Sequence, residues 1–548
     1  MITSITGRMY ADCIKSGAAS LKKHKTTVND LNVFPIPDGD TGDNMYMTIN
    51  SGAHSVSDET TGIGRVASDI ANGMLLGARG NSGVILSKIF YGISLGLKDL
   101  ESATVNDIAS AMEMGVTEAY NAVSIPVEGT ILTVIKDAVS LANSLLNEST
   151  THESYFNTLT EEMKSSLDRT PELLEVLKTA GVVDSGGAGI VYIAEGIKNA
   201  LNGMPEDDEE KPDKENRTAD ISVFTSDMTL EYGYCTEFLL RLQSAKVDVD
   251  NFDVNIIRDY LNAAGESVVC FKNDSIVKVH VHTMNPGDIL NECRKYGEFL
   301  SVKIENMMLQ HNNSEIKNEY TSKKTMPHKK YGTVAVAFGS GIKNTFAELG
   351  VDEIIDGGQS MNPSAEDFVK AFGKINADTI FVFPNNSNIV MTAKQAAEIY
   401  DKADIRVIKT KTIGEGYAAL SMADFNADSA DDITAEAEEI ISSVVTGMVS
   451  TAIRDTELNG ISIEKGNYIG FTEDAVYSAD KTMDGACVSL AEKLDAGKYD
   501  VMLFIYGQNA LPEATESALK TLNNRYKKTE IIPIDGGQPI YNYIMILE

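Results

Sequence analysis

Two stretches of this chain carry too little apolar surface to join any core. "MPEDDEEKPDKENRTAD" at 204–220 is charged and proline-bearing, and "QHNNSEIKNEYTSKKTMPHKKYG" at 310–332 is polar with mixed charge. Burial there could not offset the entropy of ordering, so both read as linkers. A chain of 548 residues is too long for one core and should divide into about three domains. The linkers set the blocks at 1–203, 221–309 and 331–548.

The first block is helical in pattern. "GRMYADCIKSGAASLKKH", "VNDIASAMEMGVTEAYNAV" and "IAEGIKNALNG" space their apolar residues three and four apart. The middle block mixes types: "YCTEFLLRLQS" and "DSIVKVHVHT" read as strands, "VNIIRDYLNAAG" and "PGDILNECRKYG" as helices. The third alternates short apolar strands with helices, which predicts a parallel sheet with covering helices. "IIDGGQSMNP" from 354 is echoed by "PIDGGQPIYN" from 533, a weak sign of two related halves. The fold class is therefore multidomain, with an all-α N-terminal domain followed by two α/β domains.

A formal charge of -33 argues against a nucleic-acid or anionic-membrane surface. Five scattered cysteines without a CxxC pair imply no disulfide framework. The N-terminus lacks the continuous apolar core of a signal peptide, and no run reaches the roughly 20 apolar residues of a membrane span. The expectation is a soluble, cytoplasmic protein. His24, His54, His152, His311 and His328 read as solvated, and Cys13 and Cys487 as core packing on helices.

The chemistry concentrates in "NVFPIPDGDTGDNMYMTINSG", residues 32–52. Hard divalent cations such as Mg²⁺ prefer carboxylate oxygens and bridge to phosphates. Asp38 and Asp40, two apart, can aim their oxygens at one ion or at two adjacent ions. Gly39 and Gly42 let the backbone bend, and Pro35 and Pro37 restrict the approach. A calcium EF-hand fails: glycine falls at the fifth position, and Ile49 stands at the twelfth, where a bidentate Glu is required. Asp43 also suits a plain helix cap.

Three glycine-marked islands accompany this loop. "GARGNSG" leads into a helix, where successive N–H groups and the helix dipole make an anion cradle, though it is no Walker A loop. "PVEGTILTVIKDA" opens a helix with Glu128-Gly129-Thr130, and "AGVVDSGGAGIVYIAEGI" does so with Asp184-Ser185-Gly186-Gly187. Capping explains each island singly; their concentration favours a nucleotide.

"NVFPIPDGDTGDNM", "GARGNSGVIL", "PVEGTILTV" and "GVVDSGGAG" together resemble the nucleotide-binding domain of the dihydroxyacetone kinase family. With the two later blocks, the chain resembles the ATP-binding catalytic subunits of bacterial fatty acid kinases. That resemblance implies an eight-helix barrel holding ATP and two Mg²⁺. Asp38 and Asp40 would be the catalytic metal ligands, and Thr41, Gly42 and Asn44 would line the phosphates. Gly80, Asn81, Ser82 and Gly83 would hold phosphate oxygens, while Gly129, Thr130, Asp184, Ser185 and Gly186 would contact the nucleotide. Asn32 stands where the dihydroxyacetone enzymes have a third aspartate. Asp43, where that family often has an uncharged residue, is the weakest of the metal candidates.

In the middle block, "KVHVHT" sets His280 and His282 on one side of a strand, a spacing suited to Zn²⁺. Cys235 in "YGYC" is the candidate third ligand, and two solvated histidines on a half-exposed strand are the alternative. The reaction implied is γ-phosphoryl transfer to a fatty acid carboxylate, giving an acyl phosphate for phospholipid synthesis. A carboxylate with a pKa of about 4 to 5 is already ionised, so no general base is required. By resemblance the lipid arrives on a separate DegV-type fatty-acid-binding protein. The third block resembles that DegV fold, with docking or self-association, as in a homodimer, for its role. Two rivals stay open: a small-polyol kinase of the dihydroxyacetone type, and a metal- or nucleotide-binding regulatory scaffold without turnover.

Overall fold

The computed structural model describes residues 3–32, 39–57, 60–205, 234–306 (except 245, 250, 251, 274 and 284), 328–357 and 362–548. Most of both expected linkers falls outside these residues, as does His311. Backbone contacts group the chain into two compact units, 1–209 together with 327–548, and 210–326.

The first unit begins with β1 (Ile5–Thr6) and the helices α1 (Gly7–Asn29), α2 (Thr41–Ala53), α3 (Ile63–Gly77) and α4 (Gly80–Gly96). Then come β2 (Ser102–Ala103), α5 (Val105–Asn121), α6 (Ile131–Ser144), α7 (His152–Leu173), α8 (Glu175–Ala180) and α9 (Ser185–Leu201). Reciprocal capping boxes start α5, between Thr104 and Asp107, and α7, between Thr151 and Ser154. The inward faces supply one core that includes Leu21, Met45, Ile49, Met74, Leu86 and Ile135. α1 and α9 cross closely enough for Ser16 Oγ to donate to the Gly196 carbonyl at 2.8 Å. A Cβ on Gly196 would collide with the Ser16 carbonyl, so glycine sets that approach.

The other unit, read from its described residues, contains β3 (Tyr234–Leu242), α10 (Asn255–Ala264), β4 (Glu266–Asn273), β5 (Ile276–Thr283), α11 (Pro286–Cys293) and β6 (Gly297–Asn306). The sheet order is β4-β5-β3-β6, antiparallel throughout. Phe238, Leu240, Val277, Val279 and Val281 meet Ile257 and Leu261 of α10 and Ile289 of α11 in its core. The register pairs Cys235 with His282 and Glu237 with His280. Strand alternation puts positions 235, 280 and 282 on one face; those three side chains lie outside the described atoms.

The first unit resumes with β7 (Lys329–Ala337), α12 (Ser340–Glu348), β8 (Glu353–Asp356), α13 (Ala365–Phe372), β9 (Ala377–Phe383), α14 (Ser387–Ile399) and β10 (Asp404–Val407). Next are α15 (Ile413–Met422), α16 (Ala430–Ser443), β11 (Val445–Thr451), β12 (Thr456–Leu458), β13 (Ile461–Ile463), β14 (Tyr468–Phe471), β15 (Val476–Asp480) and α17 (Met483–Lys493). The last elements are β16 (Val501–Tyr506), α18 (Pro512–Arg525), β17 (Glu530–Asp535) and β18 (Tyr541–Leu547). β10-β9-β7-β8 form the expected parallel sheet.

The second sheet departs from expectation. Its order is β15-β14-β11-β18-β16-β17, and only β16 and β17 run parallel. A run such as "YNYIMIL" in β18, buried at all seven positions, satisfies either orientation, so periodicity could not reveal the reversal. Ala335 and Phe381 of one sheet share a core with Leu503 and Ile546 of the other. Both DGGQ echoes begin at the C-terminal end of an edge strand paired in parallel with its neighbour: Asp356 ends β8 and Asp535 ends β17.

Cys13 and Cys487 are buried on α1 and α17, as expected. His152 is not solvated: it opens α7 at 1% exposure. Its neighbours in "STTHES" are polar, so only tertiary packing decides its burial. His24 stacks on Tyr192, centroids 4.1 Å apart. No described helix is long and apolar enough to cross a membrane.

Candidate functional site

Asp40 stands at the N-cap of α2 but makes no side-chain capping bond. Its Oδ2 instead accepts from Nδ2 of Asn362 at 2.7 Å. Burial pushes this carboxyl up to about 7, opposed by a hydrogen bond with Asn44 and reinforced by the nearby charge of Asp43. Asp38 lies outside the described residues.

The next turn is locked onto α1. Gly42 donates its N–H to Asn29 Oδ1 at 2.7 Å, and a Cβ there would press into the Lys25 carbonyl. Asp43 faces the same helix: Lys25 Nζ reaches its Oδ1 at 2.9 Å and Asn29 Nδ2 its Oδ2 at 2.6 Å. Its oxygens are thus engaged on the α1 side. Asn44 points inward and is 5% exposed.

Three further helix starts converge here. α4 begins at Gly80, whose φ of +58° is open to glycine. Asn81 Nδ2 lies 3.4 Å from Asn388 Oδ1, and Asn81 Oδ1 is buried without a hydrogen-bond partner. Thr130 caps α6 through the Leu132 N–H, while Gly129 N–H donates to Thr133 Oγ1 at 2.8 Å. Asp184 caps α9, accepting from the Gly187 N–H at 2.7 Å, and burial pushes it up to about 6. Ser185 Oγ donates to Thr41 Oγ1 at 3.3 Å, joining the starts of α9 and α2.

These residues line a cleft of about 340 Å³ that includes Asn32, Asp40, Thr41, Asn44, Asn81 and Ser82. Thr130, Asp184, Ser185 and Gly186 complete the helical side. Gly42, Gly80, Gly83 and Gly129 shape the backbone behind it rather than its lining. Asn388 and Met391 of α14 supply a further wall. They, Asn362 and Arg79 were missed from the sequence, because no local motif marks a contact made about 300 residues away.

Helix N-termini carry unsatisfied N–H groups and positive dipole ends, which favour an anion. A buried carboxylate beside them favours a cation carried with that anion. Among the described residues there is no cluster of three or more His, Cys, Asp or Glu that could hold a metal. The unpartnered Asn81 Oδ1 and the poorly solvated Asp40 fit a hydrated Mg²⁺ on a phosphate chain. The geometry defines a helical domain in which four helix starts and a buried carboxylate share one cleft.

Comparison with known proteins agrees. Residues 35–199 match the DAK2 domain. Residues 231–314 match the middle domain of FakA-like fatty acid kinase proteins, and 332–548 their C-terminal domain. Protein YloV of Bacillus subtilis (strain 168) is 39% identical over 560 residues, covering 100% of both chains. An uncharacterized protein of Staphylococcus epidermidis is 38% identical over 557 residues, again at 100% of both. The chain belongs to the FakA-like fatty acid kinase family, and its helical part is a kinase-type domain.

Two solved structures are also similar. One is DegV, a fatty acid binding protein from Bacillus subtilis, at 13% identity and TM-score 0.30, covering 40% of this chain and 99% of that one. The other is the dihydroxyacetone kinase from C. freundii in complex with AMP-PNP and Mg²⁺, at 18% identity and TM-score 0.27, covering 35% and 33%.

Proposed function

We propose that this chain is the ATP-binding catalytic subunit of a fatty acid kinase. It moves the γ-phosphoryl group of ATP to the carboxylate of a fatty acid presented by a separate DegV-type fatty-acid-binding protein. The observation that carries this reading is the convergence of four helix starts on the buried carboxylate of Asp40.

The first-turn N–H groups of α4, with those of Ser185 and Gly186 in α9, hold phosphate oxygens, helped by Thr41, Asn44, Asn81 and Ser82; the Gly42 and Gly187 N–H groups are already taken by Asn29 and Asp184. Thr130 and the turn at Asp184–Gly186 orient the nucleotide. Asp40, with Asp38, would hold Mg²⁺, which when bound neutralises charge on the triphosphate. An oxygen of the ionised acceptor bonds to the γ-phosphorus as the bond to the β-γ bridging oxygen breaks, giving acyl phosphate and ADP. No proton need be removed from the acceptor, so these residues bind and position rather than act as a base.

The test supplies the purified chain with ATP, Mg²⁺ and oleate on a DegV-type protein, and follows ADP together with hydroxylamine-trapped acyl phosphate. Turnover is expected, with a loss of at least about a thousandfold in Asp40→Ala at unchanged fold. ADP release with dihydroxyacetone but not with oleate would point to a polyol kinase. Nucleotide binding without turnover on either acceptor would point to a regulatory scaffold.

A second metal reading concerns the middle block. The cross-strand pairing of Cys235 with His282, and the shared face of 280 and 282, support one Zn²⁺ held by Cys235, His280 and His282.

A further inference from the structure

Asn362 joins two parts of the chain that the sequence keeps far apart. It sits between β8 and α13, yet it is 1% exposed and its Nδ2 donates to Asp40 Oδ2 at 2.7 Å. Its own Oδ1 is buried without a hydrogen-bond partner. The approach is held on both sides of the side chain. Arg79 Nη1 donates to the Asn362 carbonyl at 2.6 Å, and its Nη2 lies 3.8 Å from Asp367. The Ala365 N–H donates to the Ala78 carbonyl at 3.2 Å. A Cβ on Gly80 would stand 2.6 Å from Asn44 Nδ2 and 3.1 Å from Asn362 Nδ2, so that glycine leaves room for both amides.

α14 makes a second, independent junction. Asn388 and Met391 line the same cleft as Asp40, with Asn388 Oδ1 opposite Asn81 Nδ2. Further along the helix, Gln395 accepts from Ser87 Oγ at 3.3 Å and donates to the Leu75 carbonyl. Glu398 pairs with Lys88 at 3.0 Å.

We propose that the α/β part following the middle block completes the nucleotide site: Asn362 is a positioning residue for Asp40, and Asn388 with Met391 forms the wall that the helices leave open. This rests on the reading of the cleft as a Mg²⁺–ATP site. Asn362 fixes one carboxylate oxygen and leaves an amide oxygen to accept from the water shell that Mg²⁺ retains. Asn388 acts on the nucleotide side, away from the cation.

Binding of the fluorescent analogue mant-ATP to the full chain, titrated with Mg²⁺, separates the two roles. Asn362→Ala should raise the Mg²⁺ concentration for half-maximal binding about tenfold, leaving metal-free binding unchanged. Asn388→Ala should weaken mant-ATP binding about threefold at saturating Mg²⁺ and leave the Mg²⁺ midpoint alone. In the unmodified chain, Mg²⁺ and ATP should slow amide exchange in 364–372 as well as in 41–44, a measurement that stands even where Asn362→Ala misfolds. An unmodified chain that binds no mant-ATP with Mg²⁺ overturns both the functional reading and this inference. An unmodified chain that binds, beside an Asn362→Ala variant with an unchanged midpoint or a 364–372 segment with unchanged exchange, overturns this inference alone.

Discussion

Asp184 accepts from the Gly187 N–H and caps α9, while burial pushes its carboxyl up to about 6 from 3.8. Because the folded value lies above the unfolded one, the folded chain holds a proton that the unfolded chain has released between these values. The cost of the buried charge is therefore absent below about pH 4, grows through that window and is complete above about pH 6. Two pKa units correspond to about 3 kcal/mol. Asparagine keeps an acceptor for the cap and carries no charge. Asp184→Asn should melt higher than the parent at pH 8 and lose about two thirds of that advantage by pH 4.5; a pH-independent difference would show that the charge is not the cause. At this scale, Thr41, Asn81, Thr130 and Ser185 were legible because each opens a helix beside a glycine. Asn362 was not, since nothing in "SMNPS" announces a partner at Asp40.

Pairing along a strand carries the zinc reading. Cys235 faces His282 across β3 and β5, and residues two apart share a side. Elemental analysis of the full chain should find about one zinc per chain, lost in a His280→Ala/His282→Ala double variant that keeps mant-ATP binding. Retention of the metal in that variant would assign it elsewhere. Helices were the readable elements: apolar residues at three- and four-residue spacing mark α1 and α5 without ambiguity. The sheets were half readable. "TVAVAFG" and "ADTIFVFPN" declared strands, but β11, β14 and β15 passed unread. The "KVHVHT" strand was clear from alternation, whereas β4 and β6 beside it passed unread.

Across the whole molecule, the helical cleft and the two-sheet block form one compact unit although the middle domain separates them in sequence. The core between the sheets binds Ile544 and Ile546 of β18 to Phe381 of β9, and α14, which lines the cleft, follows β9. A charge placed in that core should therefore be felt at the cleft. Ile544→Asp, at a position 1% exposed, should cost at least about 4 kcal/mol. It should also abolish mant-ATP binding, although every helical site residue remains. Binding preserved in a variant whose sheets have melted would separate the two blocks.

The discontinuity of this unit also sets an order of events during synthesis. A ribosome delivers the four helix starts first, then the middle domain, then Asn362 and α14, and only at Tyr541–Leu547 the strand that runs down the centre of the second sheet. Until Asn362 is made, Asp40 lacks that partner. On the proposed reading, full affinity for ATP should therefore appear only after translation has passed Asn362 and α14.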